Sequence, residues 1–341
     1  MDNQNILCLD IGSGTQDVLL YSKESILENC PKFILPSPAM LLAQKIFKLT
    51  EQKRNIYLYG QNMGGGFKFA LKRHLQQGLK VAVHKDAYFA LSDNPEKVLK
   101  LGIEIVKEPP QNYVPLKMED FSCGFWHSFL QQLDLNLPEL ILIAAQDHGF
   151  FPTESNRKGR FKLWLEFLKK GGDIYSLLYI NPPEVMTRLT ALKQSIGVGF
   201  VADTGAAAML GALFVEKVEN LQNTDPICVV NIGNSHTLAF LIWKNKVKGI
   251  YEHHTLMLSA QTLWSQLQDF IAGKLTNEYV FEDNGHGCVH TQEINNVAGI
   301  FVLGPRRNLL QEYNVEFLCP GGDMMLAGCF GLLKAYFNHK T

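Results

Sequence analysis

Short apolar runs alternate with amphipathic stretches along most of the chain, which is the pattern of an α/β protein. The first apolar run, Ile6–Leu9, is followed by a glycine-rich turn and by a second run, Val18–Tyr21, so a β-hairpin is predicted there. Uninterrupted apolar runs predict buried strands at Leu140–Ala145 and Ile300–Leu303, and an alanine-rich stretch predicts a helix at Thr204–Phe214.

The opening pattern returns in the second half of the chain. An apolar run at Ile227–Val230 leads into a polar turn at Asn231–Thr237 and then into a second apolar run at Leu238–Trp243. The order strand, Ile-Gly-polar turn, strand therefore occurs twice, and two copies so far apart indicate a duplicated domain and not a solenoid.

The polar stretch 220–226 is the best candidate for a boundary between the two copies. We predict an N-terminal lobe over residues 1–219, with an insertion at about 31–195, and a C-terminal ribonuclease-H-like lobe over 227–341. Within the insertion, the proline-containing segment 94–119 is predicted to be mainly loop.

Composition narrows the possible functions of the chain. Its 341 residues carry a formal net charge of −1, which argues against nucleic acid held by a basic surface. No run of apolar residues is long enough to predict a transmembrane helix. The N-terminus has no basic, apolar leader of the secretory type, so a cytoplasmic protein is expected.

The seven cysteines are dispersed, with no two closer than ten positions in the sequence. An odd number without close spacing is typical of reduced thiols and not of a disulfide framework. The same dispersion argues against an iron–sulfur cluster and against a zinc ribbon, since both need closely spaced thiolates.

The first turn, Asp10–Asp17, has the residue types of a phosphate-binding loop. Glycines allow backbone N–H groups to approach phosphate oxygens, and hydroxyl side chains add further donors. Asp10 would meet a phosphate-bound Mg²⁺, usually through water. The turn is not a P-loop, because it lacks Gly-Lys-Ser/Thr and precedes a strand instead of a helix. An ordinary glycine hairpin has the same local pattern, so the motif alone leaves both interpretations open.

Five segments resemble the signature segments of the actin/hexokinase/heat-shock-70 superfamily and occur in the same order. They are Asp10–Thr15 and Asn231–Thr237 for the two phosphate loops, Thr204–Gly211 and Gly321–Gly328 for the two connecting helices, and Phe301–Arg307 for the adenosine segment. The resemblance implies a duplicated ribonuclease-H-like fold with two lobes. It also implies ATP and Mg²⁺ in the cleft between the lobes.

The resemblance also implies a set of nucleotide-binding residues in this chain. They are Gly12, Ser13, Gly14, Thr15, Gly233, Asn234, Ser235, Thr237, Gly304, Arg306, Gly321 and Gly322. One position departs from the superfamily pattern, because the second loop begins with Asn231 where an aspartate is usual. A neutral amide is a weaker partner for Mg²⁺ or for an attacking water, so rapid ATP hydrolysis is not expected although nucleotide binding is.

Over nearly its whole length the chain resembles a prokaryotic family labelled as pyruvate formate-lyase activating enzyme-like. The residues that carry this resemblance are Asp10–Asp17, Gln146–Gly149, Asp203–Gly205 and Gly321–Asp323. Radical activation of that kind needs three clustered cysteines to hold an iron–sulfur cluster. Since the cysteines here are dispersed, the resemblance implies a fold and not that chemistry.

Several polar residues fall outside the superfamily pattern. Asp147 and His148 follow a buried strand, and ligands of α/β proteins gather beyond the carboxyl ends of strands. His254 and His286 are candidate ligands of a transition metal. His253 precedes His254 on a strand, so the two side chains face opposite ways and cannot both enter one site. A polar substrate pocket that uses these histidines as acid or base is an equal alternative to a metal.

Three functions remain open at this point. The first is an ATP-dependent phosphotransferase for a small molecule, in which Asp10, Asp147, His148 and Asp203 are the candidate catalytic residues and Asp203 or Asp147 orients the acceptor. The second is a nucleotide-switched module that activates or remodels a partner enzyme. The third is a metal-dependent transferase on the same fold. Neither nucleic acid nor a membrane is expected as a partner.

Overall fold

The computed structural model of the protein describes residues 5–291, 294 and 296–339. The strands, in chain order, are β1 (Ile6–Ile11), β2 (Thr15–Tyr21), β3 (Lys32–Pro36), β4 (Ile56–Gly60), β5 (Val81–His84), β6 (Ile103–Val106), β7 (Val114–Met118), β8 (Leu140–Ala145), β9 (Leu178–Tyr179), β10 (Gly199–Ala202), β11 (Ile227–Ile232), β12 (His236–Trp243), β13 (Lys246–His254), β14 (Gly287–His290), β15 (Ile300–Leu303) and β16 (Glu316–Phe317). The α-helices are α1 (Pro38–Glu51), α2 (Lys68–Gln76), α3 (Pro95–Lys100), α4 (Cys123–Gln131), α5 (Asn156–Lys169), α6 (Thr187–Ile196), α7 (Thr204–Ala212), α8 (Glu216–Thr224), α9 (Ala260–Ile271), α10 (Asn277–Glu282) and α11 (Ala327–His339).

Two six-stranded sheets repeat one arrangement. The first has the order β3-β2-β1-β8-β10-β9 and the second the order β14-β13-β12-β11-β15-β16. In each, three consecutive antiparallel strands are followed by strands that run parallel to the first of them, β8 beside β1 and β15 beside β11. This is the ribonuclease-H-like arrangement present twice, so the predicted α/β class and the predicted duplication are confirmed.

A third sheet of four parallel strands, β6-β5-β4-β7, lies between β3 and β8 in the sequence. The segment 94–119, predicted to be mainly loop, contains α3, β6 and β7, so that prediction was wrong. Pro115 lies in β7, an edge strand of this sheet. Proline has no N–H group, and on the outer side of an edge strand there is no neighbouring strand that would accept a hydrogen bond from it. β3 and β8 belong to the first sheet, so the part of 31–195 outside that sheet is smaller than predicted.

Helix α8 occupies most of the polar stretch 220–226 that was predicted as a break. Gln222 of α8 is buried, and it exchanges hydrogen bonds of 2.7 and 2.8 Å with Asn245 in the turn between β12 and β13. The polar residues of this stretch therefore belong to a surface helix with one face anchored. Among the described helices, none is both long enough and apolar enough to cross a bilayer.

Helices α7 and α11 cross in close contact within the core that joins the two six-stranded sheets. Glycines make the approach possible, because a Cβ at Gly331 would lie 1.9 Å from the carbonyl oxygen of Ala207. A Cβ at Gly211 would likewise lie 2.1 Å from the carbonyl oxygen of Ala327. The atoms that would clash are backbone atoms, so neither helix can relieve the contact by rotating a side chain.

We expect Gly331→Ala to lower the free energy of unfolding by about 1–3 kcal/mol, because it overpacks this crossing. The clash outweighs the gain of about 1 kcal/mol that alanine brings to a helix interior. Urea denaturation measures the change. Gly124→Ala in α4 is the matched control, since a Cβ there meets nothing within 4 Å. Equal stability of the two variants would contradict the predicted contact.

Candidate functional site

A cleft opens between the two six-stranded sheets, and the two predicted turns both line it. The turns are closed by the same hydrogen bond, from Gly12 N–H to the Thr15 carbonyl at 2.9 Å and from Gly233 N–H to the His236 carbonyl at 2.9 Å. The predicted residues that line the cleft are Asp10, Gly12, Ser13, Gly14, Thr15, Asp203, Gly233, Asn234, Ser235 and Gly304. The structure thus brings the two copies of the repeated motif together at one site.

Glycine is required where the turns pass the cleft. A Cβ at Gly233 would lie 2.9 Å from the His236 carbonyl oxygen, and one at Gly12 would lie 3.2 Å from the Thr15 carbonyl oxygen. Gly304 has φ +100°, and a Cβ there would lie 2.4 Å from the Ile232 carbonyl oxygen. Because glycine has no side chain, the backbone N–H groups at these positions are open to a ligand, as phosphate-binding turns require.

Two carboxylates lie side by side in the wall of the cleft. Asp10 and Asp17 are directly opposite each other across β1 and β2, and both are buried. Thr204 donates a hydrogen bond to Asp10, whereas Asp17 Oδ1 has no partner among the described residues. Burial raises the pKa of Asp10 to about 7, and burial together with the neighbouring Asp10 raises the pKa of Asp17 to about 8.

This pair fits a divalent cation. Mg²⁺ prefers carboxylate oxygens and usually keeps several waters, and both Asp10 and Asp17 line the cleft. Asp17 was not among the predicted site residues. The signal was present in the sequence, because a short turn between two strands places residues 10 and 17 on the same face of a hairpin.

An ion-pair network links the two lobes at one side of the cleft. Arg160 on α5 contacts Asp203 at 3.1 and 3.2 Å and Glu252 on β13 at 2.7 Å, and all three side chains are buried. Burial alone would raise the pKa of both carboxyls. The guanidinium instead holds the pKa of Asp203 below its ordinary value and that of Glu252 at about 2. Asp203 is therefore a weak base that anchors Arg160 and caps α7 through Gly205 N–H at 2.9 Å.

Asp147 has a structural task. Its carboxylate accepts hydrogen bonds from the N–H groups of Gly149 at 2.8 Å, Arg188 at 2.9 Å and Leu189 at 3.0 Å. The last two belong to the first turn of α6, so Asp147 caps that helix from a distance. It is absent from the described cleft lining, and its oxygens are already engaged. The structure therefore does not support the prediction that Asp147 orients an acceptor.

Four of the predicted nucleotide-binding residues are not among the described residues that line the cleft. Thr237 is buried and shares a 3.0 Å hydrogen bond with Thr255. Arg306 is exposed, and Gly321 and Gly322 precede the cleft-lining residues at the start of α11. The connection between β4 and α2 contributes Gly64–Gly66 to the cleft wall.

Histidines from both lobes meet beside the cleft. His148 follows β8, His236 begins β12 and His286 precedes β14, and one ring nitrogen from each lies within 4.8 Å of the other two. His254, at the end of β13, has its ring centroid 4.9 Å from that of His236 and 4.8 Å from that of His286. His253 points the other way, with Nε2 3.3 Å from Asp283.

The sequence was compared with known protein families. A family profile described as "Putative pyruvate format-lyase activating enzyme (DUF1786)" matches residues 63–309, which is more than half of the chain. The chain belongs to this family. The resemblance inferred from the sequence is thereby confirmed at the level of the family. A search of curated proteins found no match to this chain.

Solved structures similar to this family member include three with an actin-like arrangement. A Bacteroides thetaiotaomicron protein with actin-like ATPase fold and unknown function is 8% identical, with 96% of each chain covered and a TM-score of 0.40. MreB 5 of Spiroplasma citri bound to AMPPNP is 10% identical, with 100% and 98% covered and a TM-score of 0.36. The ROK hexokinase of Thermus thermophilus is 9% identical, with 98% and 99% covered and a TM-score of 0.34. None of them assigns a role to a residue of this chain.

Proposed function

We propose that the protein binds ATP with Mg²⁺ in the cleft and transfers a phosphoryl group to a small molecule. The observation that carries the proposal is the pair of equivalent turns at Gly12 and Gly233, which line one cleft together with the buried carboxylates of Asp10 and Asp17. Backbone donors for phosphate and oxygen ligands for Mg²⁺ are the two requirements of a nucleoside triphosphate site.

Each lobe has a defined part in this proposal. The turn at 12–15 and the turn at 233–235 hold the phosphates from opposite sides, and Asp10 and Asp17 hold the cation directly or through water. Bound Mg²⁺ supplies electrostatic stabilisation of the charge on the transferred group. Arg160 fixes the relative position of the lobes through Asp203 and Glu252, because these two carboxylates come from different sheets. Catalysis is then positioning of the acceptor and exclusion of water.

Calorimetric titration with ATP, with and without Mg²⁺, tests the nucleotide assignment. We expect one site per chain and an affinity at least about tenfold higher with Mg²⁺, since the cation would lie between the phosphates and the two carboxylates of Asp10 and Asp17, which line the same cleft. Absence of heat with ATP, ADP and GTP would overturn the assignment. Release of ADP on addition of small hydroxyl compounds then identifies the acceptor.

A second candidate is a nucleotide-switched module that activates a partner enzyme. Asn231 favours it, because this residue lines the cleft where an aspartate is usual and gives a neutral amide in place of a carboxylate. Slow turnover with a persistent bound nucleotide suits a switch. Under this candidate, small hydroxyl compounds leave ADP release at its basal rate, and a protein partner accelerates it.

A further inference from the structure

The three imidazole rings of His148, His236 and His286 converge on one point. The ring centroids of His148 and His236 are 5.4 Å apart, those of His148 and His286 are 5.4 Å apart, and those of His236 and His286 are 4.8 Å apart. His148 follows β8 of the first sheet, whereas His236 begins β12 and His286 precedes β14, both of the second sheet. The three rings therefore meet because of the way the two lobes pack, and not because they lie close together in the sequence.

Three of the ring nitrogens at this point lack a hydrogen-bond partner among the described residues. Both nitrogens of His286 and Nε2 of His236 are buried and make no hydrogen bond to any described residue. The great majority of buried side-chain polar atoms in proteins have a partner, so three orphaned nitrogens in one small volume require an explanation. A bound cation would accept one lone pair from His236 Nε2 and one from a ring nitrogen of His286, which gives a partner to two of the three nitrogens.

The surroundings favour a positive ion. Arg160 donates a hydrogen bond of 2.7 Å to the carbonyl oxygen of Asp147, the residue before His148, so the Arg160 ion-pair network adjoins the three rings. Arg160 next to them is matched by two buried carboxylates, Asp203 and Glu252, so this network carries a net negative charge. Gln146 lies 2.8 Å from His236 Nδ1. The amide nitrogen of Gln146 is the atom that faces Nδ1. A half-turn of the amide brings its oxygen to Nδ1–H and leaves Nε2 as the ligand nitrogen, which is the outer-shell contact usual for metal-binding histidines.

We propose that His148, His236 and His286 bind one divalent transition-metal ion of the zinc type. Three imidazoles without a carboxylate suit Zn²⁺, Co²⁺ or Cu²⁺ and do not suit Mg²⁺ or Ca²⁺. Tetrahedral coordination at 2.0–2.1 Å places ligand nitrogens about 3.4 Å apart. The present nitrogen separations, at most 4.8 Å, must therefore shorten by up to about 1.4 Å, which a movement of about 0.8 Å by each ring achieves.

Three protein ligands leave a fourth position open, as in metal sites that bind water or substrate. His236 also lines the cleft, so the open position adjoins it. His254 lies next to two of the rings and is the protein residue best placed to occupy that position in the absence of another ligand. The site is separate from the carboxylate pair that would hold Mg²⁺, and it stands whether or not ATP binds.

Metal titration of the whole chain tests the proposal. The purified protein is stripped with a chelator, its fold is checked by circular dichroism, and it is titrated with Zn²⁺ and with Co²⁺ in the absence of nucleotide. We expect one ion per chain and a visible Co²⁺ spectrum of four-coordinate type without a thiolate charge-transfer band. Absence of stoichiometric binding would overturn the proposal, as would a thiolate band, which would place the ion at exposed Cys123 or Cys319.

Variants locate the ion. His286→Phe and the less buried His148→Asn should each lower Zn²⁺ affinity at least about 100-fold, since even outer-shell changes cost 10–100-fold. His290→Phe is the matched control. The ring nitrogens of His290 also lack a partner among the described residues, but its ring packs against Phe270, with centroids 4.9 Å apart, and is not one of the three proposed ligands. Zn²⁺ should raise the unfolding temperature of the wild type and of the control only. Retained affinity in folded His148→Asn would overturn the assignment.

Discussion

Asp10→Asn is expected to lower the affinity for MgATP at least about 30-fold and to leave the fold intact. Asparagine keeps the size of the side chain but removes the charge that would meet the cation. Loss of one partner from a buried charge pair costs about 2–5 kcal/mol, which corresponds to this change in affinity or more. Calorimetry of the variant with ATP and Mg²⁺ measures it. Asp86→Asn, at an exposed aspartate with 70% side-chain exposure, is the control.

The same substitution has a predicted sign in the absence of ligand. The pKa values of Asp10 and Asp17 rise on folding from 3.8 to about 7 and about 8, so the folded protein holds these protons more tightly than the unfolded chain does. Stability contributed by the protonated pair is present below pH 4 and is lost as pH rises toward 8. Asp10→Asn should therefore raise the free energy of unfolding at pH 8 by roughly 1–3 kcal/mol and change it little at pH 4. If the variant showed this stability pattern but an unchanged nucleotide affinity, the buried carboxylate pair would be supported and the assignment of the nucleotide site would be overturned.

Arg160→Met is expected to lower the free energy of unfolding by about 3–5 kcal/mol, because it leaves two buried carboxylates without their cation. Asp203 and Glu252 would then be protonated on folding at neutral pH, so the deficit should shrink as pH falls toward 4. Urea denaturation at two pH values measures both effects.

Lys162→Met, two positions along the same helix, is the control for lost charge. Its partner Glu154 is at the surface, and exposed pairs contribute about 1 kcal/mol or less. Adding Glu252→Gln to Arg160→Met should recover part of the loss, because it removes one of the two unpaired charges. If Arg160→Met cost no more than Lys162→Met, the network would not hold the lobes together in the way described.

Local pattern determined the repeated core of this protein. Apolar runs, glycine turns and an alanine-rich helix lie close together in the sequence, so periodicity alone predicted β1, β2, β11, β12 and α7. The order of these elements was sufficient to predict a duplicated fold. The turns at Gly12 and Gly233 were predicted for the same reason, since each is formed by a few consecutive residues.

Strand pairing and the packing of the two lobes determined the features that local sequence pattern did not predict. Whether Pro115 lies in a loop or in an edge strand depends on which strand forms beside it, and sequence position does not show that. Asp147 was assigned a chemical role because it follows a buried strand, but it serves a helix that begins at Thr187. Its capping partners are about 40 residues away, beyond the reach of any local pattern.

The network of Arg160 and the histidine triad are the clearest cases of this kind. Arg160 lies close to Arg157 and Lys158 in the sequence, and its burial follows only from carboxylates 43 and 92 residues away. His286 and His254 were candidates for a metal site, but their grouping with His148 and His236 follows from contact between two lobes. The sequence by itself determined which short segments form strands, turns and helices, because those choices depend on neighbours in the chain. Which polar groups share a buried volume was decided only by the tertiary structure, because burial and pairing depend on residues that the fold brings together.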